Sequence, residues 1–309
     1  MLRHVKHHHV HFAYAFLLFA VLLLYAGCSA RSSGTPSDYR TGSEALRINF
    51  MSNNQHVFYD GDEMVLLFEA SNKGTGDIDG GQFYLSGFDP NYLSAARVEP
   101  SEMFSLEGKD QYNPTGEFSD VYTIRADVKS PENRNRFPQS VMVTACYEYE
   151  TIASAEVCID PDPSNRRLQE KVCTTSTRGV GAQGHPVVVT SVEPIVGKDS
   201  IRFNIRFANS GSGQVFDPRL SNDDCAMGLD YNEVDRVVVD YVSLGGKNLD
   251  CSYTDSVRLI NGGSGLISCT CDKAGCIEDP YSAYWSILEI GMRYGYKNVI
   301  TTDVTILKE

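Results

Sequence analysis

Nine cysteines are the residues of this 309-residue chain best able to do chemistry. Cys28 stands apart near the N terminus, and Cys146, Cys158, Cys173, Cys225, Cys251, Cys269, Cys271 and Cys276 come later. Cys269-x-Cys271-x4-Cys276, with Cys251 as a fourth thiolate, could supply a zinc ligand set. There is no Cys-x2-Cys pair, however, and the eight later cysteines are an even number, which suits four disulfides. Expected pairs are Cys146–Cys158 and Cys251–Cys269 across hairpins, Cys271–Cys276 around a short loop, and Cys173–Cys225. Cys158–Cys173, closing the segment after Pro161, is the rival.

Other chemistry is sparse. Beyond residue 28 only His56 and His185 remain, and neither sits beside a Glu, Cys or Ser pattern that would make it a base or a ligand. Gly-x-Ser-x-Gly, His-Glu-x-x-His, phosphate-binding and dinucleotide-binding glycine patterns are missing from the sequence. No catalytic residue and no cofactor is therefore assigned. The acidic clusters Asp77-x-Asp79 and Asp223-Asp224 with Asp230 are weak calcium candidates, because calcium needs six to eight oxygens and neither cluster has EF-hand spacing. Solvated turns explain them as well. Paired carboxylates on different strands would leave no local signature.

The elements that would position these residues begin with a leader. Arg3 and Lys6 precede an apolar run from Phe12 to Gly27, the pattern of an export signal. The run is shorter than the roughly 20 residues of a comfortable membrane span. It ends on Leu24-Tyr25-Ala26-Gly27-Cys28, which resembles a lipobox except at Tyr25. Lipidation of Cys28 is expected, with a retained signal-anchor over 1–28 and plain cleavage as alternatives. Histidines 4, 7, 8, 9 and 11 lie before the apolar run or at its edge and leave with it on cleavage. Residues 29–44 are small and polar, a flexible tether to an extracytoplasmic, membrane-anchored domain. Without residues 1–28 the chain holds 25 bases against 40 acids, a formal net charge of −15, which disfavours nucleic acid as a partner.

The chain beyond the tether is duplicated. Met64–Ile78 and Ile201–Val215 align without gaps as strand, Asn-x-Gly-x-Gly turn and strand, with Asn72-x-Gly74-x-Gly76 matching Asn209-x-Gly211-x-Gly213. Ile201, Phe203, Ile205 and Phe207 alternate with Arg202, Asn204 and Arg206, the period of a half-buried strand. Tyr147-Glu-Tyr149 likewise matches Tyr294-Gly-Tyr296, each read as one arm of a hairpin, the first turning near Ile152. Asn209 follows Asn72 by 137 positions and Tyr294 follows Tyr147 by 147, so the later copy carries about ten extra residues, placed at the cysteine-rich stretch 251–276. The expected fold is all-β, with two β-sandwich domains at 45–162 and 185–309 joined by a linker at 163–184. The tyrosines and Trp285 are expected to pack in cores or at their rims.

An alternating strand closing on Asn-x-Gly-x-Gly, within a repeated all-β unit of an exported chain, resembles the adhesion-type immunoglobulin-like (CARDB-like) modules of surface proteins. The resemblance implies a stalk, spacer or contact surface acting in adhesion, protein interaction or envelope structure, with a protein or surface polysaccharide as partner. Two alternatives stand beside it. One is a filament or pilus-type subunit that donates a strand from residues 29–50, including Leu46, Ile48 and Phe50. The other is an envelope solute-binding lipoprotein or carboxylate-dependent enzyme, which requires a concave pocket with converging polar groups.

Overall fold

A computed structural model describes residues 38–308 apart from 117, 167, 169, 261 and 262. The leader, Cys28 and residues 29–37 lie outside the described residues.

Alternation of apolar and polar side chains lays down the strands. The first half runs β1 (Leu46–Phe50), β2 (Val57–Tyr59), β3 (Glu63–Asn72), β4 (Ile78–Ser86), β5 (Leu93–Glu99), β6 (Met103–Leu106), β7 (Ser119–Val128) and β8 (Arg136–Ile159). A two-residue strand, β9 (Arg178–Gly179), lies in the connection. The second half runs β10 (Val187–Val196), β11 (Ser200–Asn209), β12 (Gln214–Phe216), helix α1 (Asn222–Met227), β13 (Arg236–Leu244), β14 (Lys247–Asn248), β15 (Asp250–Ser252), β16 (Val257–Arg258), β17 (Ser264–Asp272), helix α2 (Lys273–Cys276) and β18 (Tyr284–Leu307). On β11 the four alternating apolar residues are fully buried and Arg202 and Arg206 exposed. β3 repeats this with Met64, Leu66, Phe68 and Ala70.

The chain is all-β and folds as β-sandwiches. A front sheet in the order β1-β3-β7-β5 belongs to the first half, and another in the order β15-β17-β11-β10-β9 contains the second. A single nine-stranded sheet backs both, with the path β14-β13-β18-β8-β4-β6 and with β12 and β2 also on β18 and β16 on β13. Phe68, Phe83, Phe104 and Tyr122 pack ring against ring between the sheets of the first half, with centroids 4.2–5.4 Å apart. One apolar core continues from this cluster into Phe203 and Phe207 of the second half.

The joint between the halves differs from the expectation of two hairpins. No turn occurs near Ile152: β8 is one 24-residue strand, as is β18. They pair antiparallel over their full lengths, from Ile159↔Tyr284 to Arg136↔Leu307. From Val141 to Val157 the sequence holds no Gly, Pro, Asn or Asp, the strongest turn formers. The register sets Tyr149 opposite Tyr294 and Tyr147 opposite Tyr296, so a pseudo-two-fold axis relating the copies passes through the Glu148↔Gly295 pair.

The same register relocates the extra residues. β4 covers β8 with Gln82 opposite Cys146, and β13 covers the matching stretch of β18 with Val238 opposite Arg293. The course that β4 takes unbroken is shared in the second half by β12 and β13, with 217–235 and α1 looped out between them. The added structure thus lies at 217–235 and not at the cysteine-rich stretch.

All eight described cysteines are in disulfides. Cys251–Cys269 and Cys271–Cys276 pair as expected, whereas Cys146 joins Cys225 and Cys158 joins Cys173. The expected Cys146–Cys158 pair is excluded because both residues lie twelve positions apart on one extended strand, about 40 Å by strand rise. Cys225 on α1 instead reaches across the joint to β8. The segment containing Leu46, Ile48 and Phe50 is held in its own chain as β1, paired with β3 from Leu46↔Asn72 to Phe50↔Phe68.

Candidate functional site

The repeated motif is a locked turn. Asn72 Oδ1 accepts the Gly74 N–H at 2.9 Å while its Nδ2 donates to Gly76 O at 2.7 Å. The Gly76 N–H then donates to the Tyr149 hydroxyl at 3.0 Å. In the second copy Asn209 makes the same pair of bonds to Gly211 and Gly213, and the Gly213 N–H donates to Tyr296 at 2.9 Å. The glycines are required by the ring: a Cβ on Gly74 would stand 1.9 Å from the Tyr149 oxygen, and one on Gly211 2.3 Å from that of Tyr296.

The other two tyrosines tie the copies together. Tyr147 receives the Leu46 N–H and donates to Asn298 Oδ1 at 2.7 Å, while Tyr294 receives the Val187 N–H and lies 2.8 Å from Thr151 Oγ1. Each therefore holds the first strand of its own copy and a side chain from the central strand of the other. All four rings are buried, with neighbouring centroids 5.9–6.2 Å apart. Burial raises every one of the four phenols, Tyr296 to about 12. They are structural hydrogen-bonding groups and do not titrate near neutral pH.

Beside the first turn opens a cleft of about 610 Å³, the concave polar feature that a binding reading requires. Arg40, Asp77, Glu107, Lys109, Glu150 and His185 contribute to its wall. Lys109 is buried and donates to Thr41 O at 2.5 Å, which ties down the chain before β1, and burial holds its ammonium below the usual range. His185, 6% exposed, stands 3.1 Å through Nε2 from Thr75 Oγ1. Burial pushes its imidazole down to about 4, the neighbouring Arg40 and Lys109 adding to the effect against a hydrogen bond that the ring donates to the Ile152 backbone. It is neutral at physiological pH. His56 lies elsewhere, bonded through Nδ1 to Asp303 O at 3.0 Å.

The acidic candidates do not converge. Asp77 accepts the Gly108 N–H, Asp223 accepts the Tyr84 hydroxyl, and Asp224 completes a capping box with Ser221 at the start of α1. Asp230 takes part through its backbone N–H in a turn with Glu233, and Asp79 lies across a shallow recess from α1. Among the described residues no three His, Cys, Asp or Glu gather as a metal site. Trp285 departs from the core expectation: it is 39% exposed, with the Arg178 guanidinium 4.4 Å from its ring centroid.

No protein-family model and no curated protein matches the sequence. Solved structures similar to it include a protein of unknown function from Porphyromonas gingivalis W83, at 11% identity over 75% of this chain and 84% of that one, TM-score 0.21. The C-terminal domain of the Streptococcus pyogenes antigen I/II-family protein AspA matches at 8% identity over 86% and 100%, TM-score 0.18. The C-terminal domain of the Streptococcus agalactiae AgI/II polypeptide BspA matches at 9% over 84% and 97%, TM-score 0.15.

Proposed function

We propose that this chain is a membrane-tethered, extracytoplasmic surface protein that works by contact, in adhesion, protein interaction or envelope structure, and without catalysis. The observation that carries the reading is the joint between the halves. β8 and β18 fuse the backs of both sandwiches into one sheet, and Cys146–Cys225 ties the excursion of one half to the central strand of the other. Such a body transmits force between its halves without bending at a linker, which suits a spacer that presents surfaces away from a membrane. Four disulfides fit an oxidising compartment outside the cytosol. The anchor is the N-terminal segment, through Cys28 or a retained signal-anchor, and the partner is a protein or surface polysaccharide.

Labelling of intact cells with a membrane-impermeant amine reagent, with mass analysis of the mature N terminus, tests the reading. Labelling without lysis and a lipid mass on Cys28, or a retained leader, are expected. Labelling only after lysis, together with reactive thiols at the eight later cysteines, would overturn it.

The cleft at His185 favours a second reading, an envelope solute-binding lipoprotein. A saturable thermal shift with a small polar solute, lost in Glu150→Gln, would support it.

A further inference from the structure

The two halves differ at one equivalent edge. β1 and β10 hold the same place, since Leu46 pairs with Asn72 and Val187 with Asn209. In the second half the outer edge of β10 is filled by the segment that precedes it. Arg178 and Gly179 pair with Val192 and Ser191, and the Val180 N–H donates to Thr190 O at 3.0 Å. Gln183 closes the opposite wall, its amide donating to Ser154 O at 2.7 Å and accepting the Ser154 N–H at 2.8 Å on β8. Residues 178–183 thus fill a slot between the edge of β10 and the edge of β8.

In the first half no described residue fills the matching slot. Lys73 N–H donates to Ala45 O and Met51 N–H to Leu67 O, which fixes the alternation along β1. Odd-numbered residues bond to β3, and the N–H and C=O groups of Ile48 and Phe50 point the other way. Among the described residues no strand pairs with that edge. Across the slot stands β18, where Thr301 holds the place that Ser154 holds on β8, and both Thr301 and Val299 are exposed. A groove of about 210 Å³ lies between, lined by Ile48, Asn49, Val299 and Ile300 among others. Residues 38–42, the described counterparts of the filling segment, run elsewhere: Tyr39 and Arg40 line the cleft, Lys109 holds Thr41, and Gly184 N–H donates to Gly42 O.

We propose that this slot is a β-augmentation site for an extended segment of a partner protein, small-residued and uncharged at its centre and bearing a side-chain amide. The chemistry of the occupant is taken from the twin slot, where Gly-Val-Gly-Ala-Gln plays that part in cis. Main-chain bonds to Ile48 and Phe50 give the affinity, an amide on the Thr301 backbone gives the register, and apolar contact comes from Val299 and Ile300. The proposal rests on the reading of the chain as a surface interaction protein and names the kind of partner.

The test titrates the full chain with a synthetic peptide of residues 178–184, Arg-Gly-Val-Gly-Ala-Gln-Gly, followed by amide NMR. Saturable shifts at Ile48, Phe50 and Thr301 are expected. Val299→Asp, at an exposed position, should weaken binding about tenfold or more through a charge in the groove while leaving the melting temperature unchanged. A peptide N-methylated at Val and Ala should not bind. Shifts elsewhere, no shift at millimolar peptide, or indifference to Val299→Asp would overturn the proposal. So would a concentration-dependent dimer with the Ile48 and Phe50 amides protected, which would assign the slot to a second copy. Any of these outcomes leaves the intact-cell labelling result standing, so the two failures are distinguishable.

Discussion

The phenolic oxygen of Tyr149 accepts the Gly76 N–H at 3.0 Å, and that single bond joins the central strand to the repeated turn. Gly76 is half-buried at the edge of the cleft, and its N–H has the hydroxyl as its acceptor. Tyr149→Phe should therefore cost about 1–3 kcal/mol, the penalty of an unpaired half-buried donor. Tyr296→Phe should cost a similar amount through Gly213. Gly74→Ala should cost more than either, because the new methyl overlaps the hydroxyl and the turn must move. Urea midpoints of the three variants check the order.

The turn was legible in the sequence because everything that builds it is local. Asn72, Gly74 and Gly76 lie within five positions, and their recurrence at Asn209, Gly211 and Gly213 marks a repeated unit by itself. The matched tyrosines were legible as packing residues for the same reason. Their pairing across copies was not, because the register of β8 on β18 is set by contacts more than a hundred residues apart. A 24-residue strand also lies far above the usual five or six, so a hairpin was the natural reading of Tyr147 to Ile159. The missing turn residues between Val141 and Val157 were the signal against it. Cys225 shows the same limit: its partner depends on where the 217–235 excursion lands, and the spacing of cysteines carries no trace of that.

Disulfide removal separates long closures from short ones. Cys146–Cys225 closes a separation of 79 residues and Cys271–Cys276 one of five. On chain entropy alone the first should stabilise by about 4.5 kcal/mol and the second by about 2 kcal/mol. The paired variant Cys146→Ala/Cys225→Ala should therefore unfold at lower urea than Cys271→Ala/Cys276→Ala. It should also release α1 from β4, where Tyr84 bonds Asp223 and Asn222 bonds Gly80 O, read as faster hydrogen exchange over 217–235.

Acid should destabilise the fold through His185. Its folded pKa, about 4, lies below the ordinary value of 6.5 because burial disfavours the imidazolium. Above pH 6.5 the ring is neutral in both states and contributes no pH dependence. As pH falls through 6.5 the unfolded chain takes up a proton that the folded chain refuses, and stability drops until the folded ring protonates near pH 4. The full loss is about 3 kcal/mol at 1.36 kcal/mol per unit. His185→Asn removes this slope, so the stability difference between parent and variant should shift in favour of the variant from pH 7 to pH 4.5. Carboxylate effects are shared by both proteins and cancel in the difference. An unchanged difference would mean that the ring protonates in place.

The two dyad-related side chains, Thr151 and Asn298, offer a measure of how tightly the halves are coupled. Tyr294 lies 2.8 Å from Thr151 Oγ1, and Tyr147 donates to Asn298 Oδ1 at 2.7 Å, so each copy satisfies a phenol of the other. Thr151→Val keeps the volume of the side chain and removes its hydroxyl, leaving the Tyr294 oxygen with the Val187 N–H alone. Tyr294→Phe removes the phenol and leaves Thr151 with Val187 O. Each single variant should cost about 1–2 kcal/mol, and the double variant less than their sum by about 1 kcal/mol, because the second change removes a group already without its partner. Additive costs would show that the halves are held by sheet pairing and the Cys146–Cys225 bond, with the tyrosine cluster acting inside each copy separately.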